Sequence, residues 1–149
     1  MTDYYQGVVA EFLRADRSVF VNPEFCLQLE PGFTPPKGSF WYCDLLALSL
    51  RERTVYLCEV TYSSTASALM KRLTAWKANW PGIKTALVRD CRVDSSWHVS
   101  PWVFIPHKVR ATYEKKLTLL KPFPEKGMPE PKLTELEDVV PWKTQWNTS

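Results

Sequence analysis

The sequence predicts an α/β (α+β) domain in which helices flank a mixed central sheet, in the order α-β-β-β-α-β. Two apolar runs, residues 40–50 (FWYCDLLALSL) and 54–62 (TVYLCEVTY), contain neither glycine nor proline, and a polar turn separates them. Both runs are apolar on both faces, which is typical of strands in the middle of a covered sheet. Helical apolar patterns precede and follow this hairpin and would cover the two faces of the sheet.

The first two predicted elements are a helix over about residues 3–14 and a strand over residues 18–29. The apolar residues of the helix recur at helical spacing. Pro23 predicts a bulge or an edge position for the strand, because proline cannot donate a backbone hydrogen bond. Residues 30–38 are rich in proline and glycine and therefore predict a loop.

Beyond the hairpin, the pattern predicts two helices and two strands. In chain order they are a helix over residues 66–80, a strand over 84–91, a strand over 97–106 and a helix over 108–120. Pro81-Gly82 would end the first of these helices. Pro101 would place the strand that contains it at an edge of the sheet.

We predict one domain over residues 1–121 and a Pro-rich acidic tail over residues 122–149. The tail holds three Lys and five Asp or Glu, which leaves 16 basic and 11 acidic side chains in residues 1–121. This mild positive excess is compatible with a nucleic-acid partner. The tail would be loosely ordered, or would dock on the domain or on a protein partner through its apolar residues Leu136, Val139, Val140, Trp142 and Trp146.

Composition narrows the class of protein further. No run of about 18 apolar residues is present, so we expect no membrane span. The beginning of the sequence lacks the basic region of a signal peptide, which predicts a cytoplasmic protein. Four separated cysteines without a CxxC pair are typical of free thiols in a reducing compartment: Cys26, Cys43, Cys58 and Cys91. A homodimer is also compatible with the sequence.

Two carboxylates interrupt the apolar hairpin, Asp44 in the first strand and Glu59 in the second. If the turn has two residues, Asp44 lies opposite Thr61, which shares a face with Glu59. The two carboxylates would then converge, whereas a slip of one residue would separate them. Two carboxylates among apolar neighbours repel each other and need a cation, a shared proton or strong hydrogen bonds. Their oxygen atoms suit Mg²⁺ or Mn²⁺.

An Asp on the second strand, followed by Glu59-Val60-Thr61 on the third strand and then a helix, resembles the PD-(D/E)XK nuclease superfamily. The resemblance covers roughly residues 3–91 and implies a restriction-endonuclease-like fold. It also implies a metal-dependent nuclease that hydrolyses phosphodiester bonds in DNA, with RNA as the alternative. Asp44, Glu59 and the backbone carbonyl of Val60 would bind the Mg²⁺ or Mn²⁺ ion.

Three further residues bear on this resemblance. Glu11 resembles an extra acid that some members carry on the first helix, although an ordinary exposed carboxylate is the alternative. Thr61 occupies the position of the superfamily's lysine and cannot supply a positive charge. Some members bring a lysine from the following helix instead, and Lys71 is the first candidate here, with Arg72 the second. The alternative for Lys71 is a solvated helix face.

Two functions from different classes therefore remain. The first is a metal-dependent endonuclease or exonuclease, favoured because both metal-binding carboxylates are present. The second is a catalytically inactive nuclease-fold module that binds nucleic acid or a protein partner, favoured because Thr61 replaces the lysine.

Overall fold

The computed structural model of the chain describes residues 4–29 and 42–139. The helices are α1 (Tyr4–Arg14), α2 (Ser67–Ala78), α3 (Trp80–Cys91) and α4 (Arg110–Leu117). The strands are β1 (Val19–Cys26), β2 (Tyr42–Ser49), β3 (Thr54–Val60), β4 (His98–Ile105) and β5 (Lys132–Glu135). None of the described helices is long and apolar enough to cross a membrane. The predicted loop over residues 30–38 lies outside the described residues.

The five strands form one mixed sheet in the order β1-β2-β3-β4-β5. The pairs β1–β2 and β2–β3 are antiparallel, whereas β3–β4 and β4–β5 are parallel. The predicted mixed α/β class and the central antiparallel hairpin are therefore confirmed. Every residue of β3 is buried, as expected for a strand that is apolar on both faces. The β1 strand, which contains Pro23, lies at the edge of the sheet as predicted.

The two faces of the sheet are covered by different helices. α1 packs on one face, where its buried residues Val9, Ala10 and Leu13 join strand residues such as Leu45 and Cys58. The other face is covered by α2, α3 and α4, whose buried side chains pack against the alternate strand residues. This larger core includes Leu46, Leu57, Leu69, Leu73, Trp76, Ile83, Leu87, Tyr113 and Leu117. A side chain's position along its strand thus decides which helices it meets.

The hairpin register differs by two residues from the one expected for a two-residue turn. Ser49 pairs with Thr54, so the connection is a four-residue turn over residues 50–53. The Glu52 N–H donates to the Ser49 hydroxyl at 3.2 Å, and Arg53 has a left-handed φ of 51°; both features close this wider turn. A shift of two residues keeps every side chain on its predicted face, because strand side chains alternate with a period of two.

The predicted strand over residues 84–91 is wrong, because this segment belongs to α3. Trp80, Ile83 and Leu87 are buried at helical spacing, and they pack with α2 in the larger core. Pro81 lies in the first turn of α3, where proline is favoured because the first N–H groups of a helix need no acceptor. The sequence Pro81-Gly82 therefore begins a helix, whereas α2 already ends at Ala78.

The prediction of an edge strand over residues 97–106 is wrong about its position. β4 lies between β3 and β5. Because α3 stands where a strand was predicted, β4 is the fourth strand and the observed order is α-β-β-β-α-α-β rather than α-β-β-β-α-β. Thr61 donates its N–H to the Phe104 carbonyl at 3.1 Å, so the even-numbered residues of β4 point their backbone groups toward β3. The backbone groups of Pro101 therefore face away from β3, toward the β5 side. Pairing with β5 begins only at Trp102. Its missing N–H therefore removes no ladder hydrogen bond.

The described part of the predicted tail, residues 122–139, packs on the domain. β5 adds to the sheet parallel to β4, and Met128 is buried in the larger core. Leu136 and Val139 are buried on the α1 face. The other apolar residues named for docking, Val140, Trp142 and Trp146, lie outside the described residues. The sheet thus takes its fifth strand from a segment whose composition is Pro-rich and acidic.

Candidate functional site

Asp44 and Glu59 lie side by side on two inner strands, near the C-terminal end of β3 and the N-terminal end of β2. Leu45 lies opposite Cys58 in the observed register. Continuing this pairing by one residue places Asp44 directly opposite Glu59. The Asp44 N–H donates to Glu59 Oε2 at 2.9 Å, and the Val60 N–H donates to Asp44 Oδ2 at 2.8 Å. Each carboxylate thus accepts a hydrogen bond from the backbone beside the other. These bonds fix the orientation of both side chains.

Arg72 lies on α2, which covers one face of the sheet, and its guanidinium contacts both carboxylates. One of its terminal nitrogens, Nη1, donates to Glu59 Oε1 and lies 3.8 Å from Asp44 Oδ1. The exposed fractions of the side chains are 3% for Glu59, 21% for Asp44 and 20% for Arg72. The group is therefore buried on the Glu59 side and reaches solvent on the Asp44 side. We refer to Asp44, Glu59 and Arg72 as the acidic-pair site.

Glu59 has a strongly perturbed acidity at this site. Burial, the largest cause, and the charge of Asp44 together raise its pKa to about 8. Arg72 and the hydrogen bond from the Asp44 N–H act in the opposite direction. A single guanidinium therefore does not compensate for burying two carboxylates that touch the same cation. With both carboxylates ionised, the three side chains carry one net negative charge.

Two buried thiols lie close to the same charges. Cys43 and Cys58 are free and buried, and burial raises the pKa of both thiols well above its usual value. The charge of Glu59 is the second cause of the rise in each case. Both thiols therefore stay protonated and act as small apolar side chains beside the site.

The helix contributes Arg72 rather than Lys71 to the site. On α2, Arg72 falls on the same side as the buried Leu69, Leu73 and Trp76, whereas Lys71 falls on the opposite side and is exposed. No described ion pair joins Lys71 to Asp44 or Glu59. The sequence held part of the signal, because position 72 falls beside the buried stripe of α2 and position 71 falls opposite it. Which strand residues that stripe meets was decided by the tertiary structure.

The remaining residues of the predicted site are placed as follows. Glu11 is on α1, which covers the opposite face of the sheet, and its exposed side chain pairs with Arg14 at 3.5 Å. The structure therefore does not bring Glu11 to the acidic pair. Thr61 follows β3 directly, and its hydroxyl accepts a hydrogen bond from the Ser63 N–H at 3.2 Å. The Val60 carbonyl lies on the β2 side, because its own N–H points toward Asp44.

The site occupies a position that commonly binds ligands in sheets of this kind. β3, β4 and β5 are parallel, and their carboxyl ends lie at one edge together with the acidic-pair site. In open α/β sheets, ligands bind in the crevice outside the carboxyl ends of the strands. Comparisons with protein-family profiles, with curated proteins and with solved structures found no match to this chain.

Proposed function

We propose that this chain is a metal-dependent nuclease that hydrolyses phosphodiester bonds in DNA, with a restriction-endonuclease-like fold of the PD-(D/E)XK type. One observation carries the proposal: Arg72 reaches both Asp44 and Glu59 at the edge of the sheet. The superfamily's pattern needs two carboxylates and one cation at a single point. Thr61 stands at the usual position of the cation, and Arg72 supplies the charge from the following helix.

The donor atoms at the site fit Mg²⁺ or Mn²⁺. In the part of the chain that the structure describes, no three His, Cys, Asp or Glu side chains form a metal-binding group. Mg²⁺, however, uses one or two protein carboxylates and takes its other ligands from water and from substrate phosphates. Asp44 and Glu59 supply the carboxylates, and the Val60 carbonyl faces the same side. Once Glu59 is ionised, the group keeps one net negative charge despite Arg72, which favours binding of a further cation; a bound cation in turn favours the ionised form of Glu59.

The protein residues would have separate roles in hydrolysis. Asp44 is the more exposed carboxylate and would face the substrate, whereas the buried Glu59 is held rigidly by its hydrogen bonds. Arg72 would stabilise the charge that develops on the phosphate oxygens, as a guanidinium can bind two of them at once. A bound divalent ion supplies a water molecule of lowered pKa and additional charge stabilisation. Lys71 faces solvent and has no part in this scheme.

A second function is favoured by the same contact. Arg72 neutralises part of the charge of the pair, and backbone N–H groups bind one oxygen of each carboxylate. Such a group can be purely structural and need no metal. In that case the chain is a catalytically inactive module that binds nucleic acid or a protein partner.

Binding of metal distinguishes the two functions first. For a nuclease, we expect Mn²⁺ or Mg²⁺ to raise the melting temperature of the wild type, and EDTA to reverse the rise. Asp44→Asn should abolish the rise while leaving the metal-free melting temperature nearly unchanged, because an amide oxygen can still accept the Val60 N–H. A wild type that shows no rise with either metal would support the inactive module.

Cleavage of labelled single-stranded, duplex and branched DNA, and of RNA, with Mn²⁺ is the second measurement. We expect slow cleavage by the wild type, none by Glu59→Gln, and a loss of about a hundredfold for Arg72→Ala. Lys71→Ala is the matched control and should cleave like the wild type. Adding Thr61→Lys to Arg72→Ala should restore part of the loss, because it returns a cation to the same face. Equal cleavage by wild type and Glu59→Gln would mean a contaminating nuclease.

A further inference from the structure

A cavity of about 390 Å³ lies at the other end of β3 from the acidic-pair site, and most of the charged side chains that line it are basic. Lys84, His98, Lys126 and Lys132 line it, and Glu125 is its one lining carboxylate. None of the three lysines makes an ion pair with a carboxylate among the described residues. With three lysines and one carboxylate, the lining therefore carries an excess of positive charge. We refer to it as the basic cavity.

The backbone beside the basic cavity offers a hydrogen-bond donor as well. β5 pairs with β4 only from Trp102 onward, so among the described residues no strand pairs with this side of β4 before Trp102. The His98 N–H donates to the Arg53 carbonyl, on the β3 side, at 3.0 Å. Because successive strand residues direct their backbone groups to alternate sides, the Val99 N–H points away from β3. Val99 also lines the cavity, and its N–H lies on the open side of the strand.

One of the lysines is held in place by aromatic rings. Lys132 Nζ lies 4.0 Å from the ring centroid of Trp102 and 5.5 Å from that of Tyr56. These cation–π contacts restrict an otherwise flexible side chain, so less conformational entropy is lost when the ammonium group binds a ligand. Lys132 remains exposed and can still donate hydrogen bonds.

We propose that the basic cavity binds a phosphate-bearing anion. The ammonium groups would neutralise the phosphate charge, and the Val99 N–H would donate to one of its oxygens. The volume is in the range of small-molecule sites. Thr54, which lines the cavity, and Glu59 are five residues apart on β3, or about 17 Å. This second site is therefore separate from the acidic-pair site and does not depend on the proposed nuclease activity.

Titration with inorganic pyrophosphate at low ionic strength, followed by amide NMR, tests this site in the full chain. We expect saturable shifts centred on the amides of Val99 and Gly127, with one pyrophosphate bound per chain. A variant with Lys84→Gln, Lys126→Gln and Lys132→Gln together should bind at least about tenfold more weakly. The single change Lys115→Gln, on the exposed face of α4, is the control and should leave the affinity unchanged.

The source of the phosphate is resolved by competition. A short oligonucleotide that displaces pyrophosphate from Val99 would identify a nucleic-acid backbone as the source, whereas displacement by a nucleoside triphosphate alone would identify a free phosphate compound. No saturable shift at Val99 up to about 10 mM pyrophosphate would overturn the proposal. Unchanged affinity in the triple variant, with its amide spectrum otherwise preserved, would overturn it as well. The response of Asp44 and Glu59 to Mn²⁺ should be the same in all variants.

Discussion

The two ends of the β2–β3 hairpin both hold ion pairs, but in opposite surroundings. At the turn, Arg51 contacts Asp16 at 2.6 Å and Arg53 contacts Asp94 at 3.0 Å, with side chains that are 35% to 69% exposed. At the open end, Arg72 contacts both Asp44 and Glu59 in a largely buried group. The nitrogen–oxygen distances alone would not distinguish the ion pairs at the two ends.

Burial is what distinguishes the two ends. Water solvates each partner of an exposed pair when the other is removed, so the loss is small and salt screens what remains. In the acidic-pair site, removing the cation leaves the buried Glu59 carboxylate with a charge that water solvates poorly. The turn pairs therefore position a surface loop, whereas the acidic-pair site constrains the helix and two central strands together. Substitutions at Arg72, at Glu59 and at the two turn arginines test this comparison.

Arg72→Met is expected to have the largest effect. The change removes the guanidinium that contacts the buried Glu59 and the partly exposed Asp44, and we expect the free energy of unfolding to fall by about 3 kcal/mol at pH 8. The loss should be smaller at pH 6, because Glu59 can then take up a proton. Lys71→Met, on the exposed side of the same helix turn, is the control and should change stability by less than about 0.5 kcal/mol. Urea unfolding measures both; equal losses would contradict the burial argument.

The pH dependence of stability gives the next effect. The pKa of Glu59 is raised from 4.5 to about 8 in the folded state, so the folded protein binds more protons than the unfolded one between these values. The contribution of Glu59 to the free energy of unfolding is therefore fully present below about pH 4.5 and is lost as the pH rises toward 8. The slope reaches at most about 1.4 kcal/mol per pH unit.

Glu59→Gln should remove most of this slope in urea unfolding between pH 5 and 8. His107 also has a raised pKa, caused mainly by its hydrogen bond with Glu135, and contributes a slope of the same sign. Because His107 is present in both proteins, the difference between the two slopes isolates Glu59. An unchanged slope in Glu59→Gln would assign the pH dependence to another group.

Arg51→Gln and Arg53→Gln are expected to have the smallest effect. Both arginines are exposed, so we expect little or no change in the midpoint of urea unfolding, and no remaining difference from the wild type in about 1 M NaCl. Limited proteolysis at the turn is the more sensitive measurement, because the two pairs hold the loop rather than the core. A loss as large as that of Arg72→Met would show that the turn also carries the stability of the hairpin.

The elements that the sequence predicted well depend on local patterns. The hairpin and the amphipathic α1 and α2 follow from apolar periodicity, which each segment carries within itself. α3 was mistaken for a strand because Pro81-Gly82 is a common stop signal, although proline also fits the first turn of a helix. The strand β5 was missed because four residues in a Pro-rich acidic segment carry too weak a pattern. Its partner, β4, is about 30 residues away in the chain.

For the site itself, the sequence alone determined that Asp44 and Glu59 share a face of one hairpin. This result survives the error in register, since a shift of two residues preserves the alternation of side chains. Only the tertiary structure decided that Arg72 reaches the pair, that Lys71 does not, and that Glu11 lies across the sheet. The physical reason is that alternation along a strand is a property of the local backbone. The packing of a helix on a particular face, by contrast, depends on contacts between residues far apart in the chain.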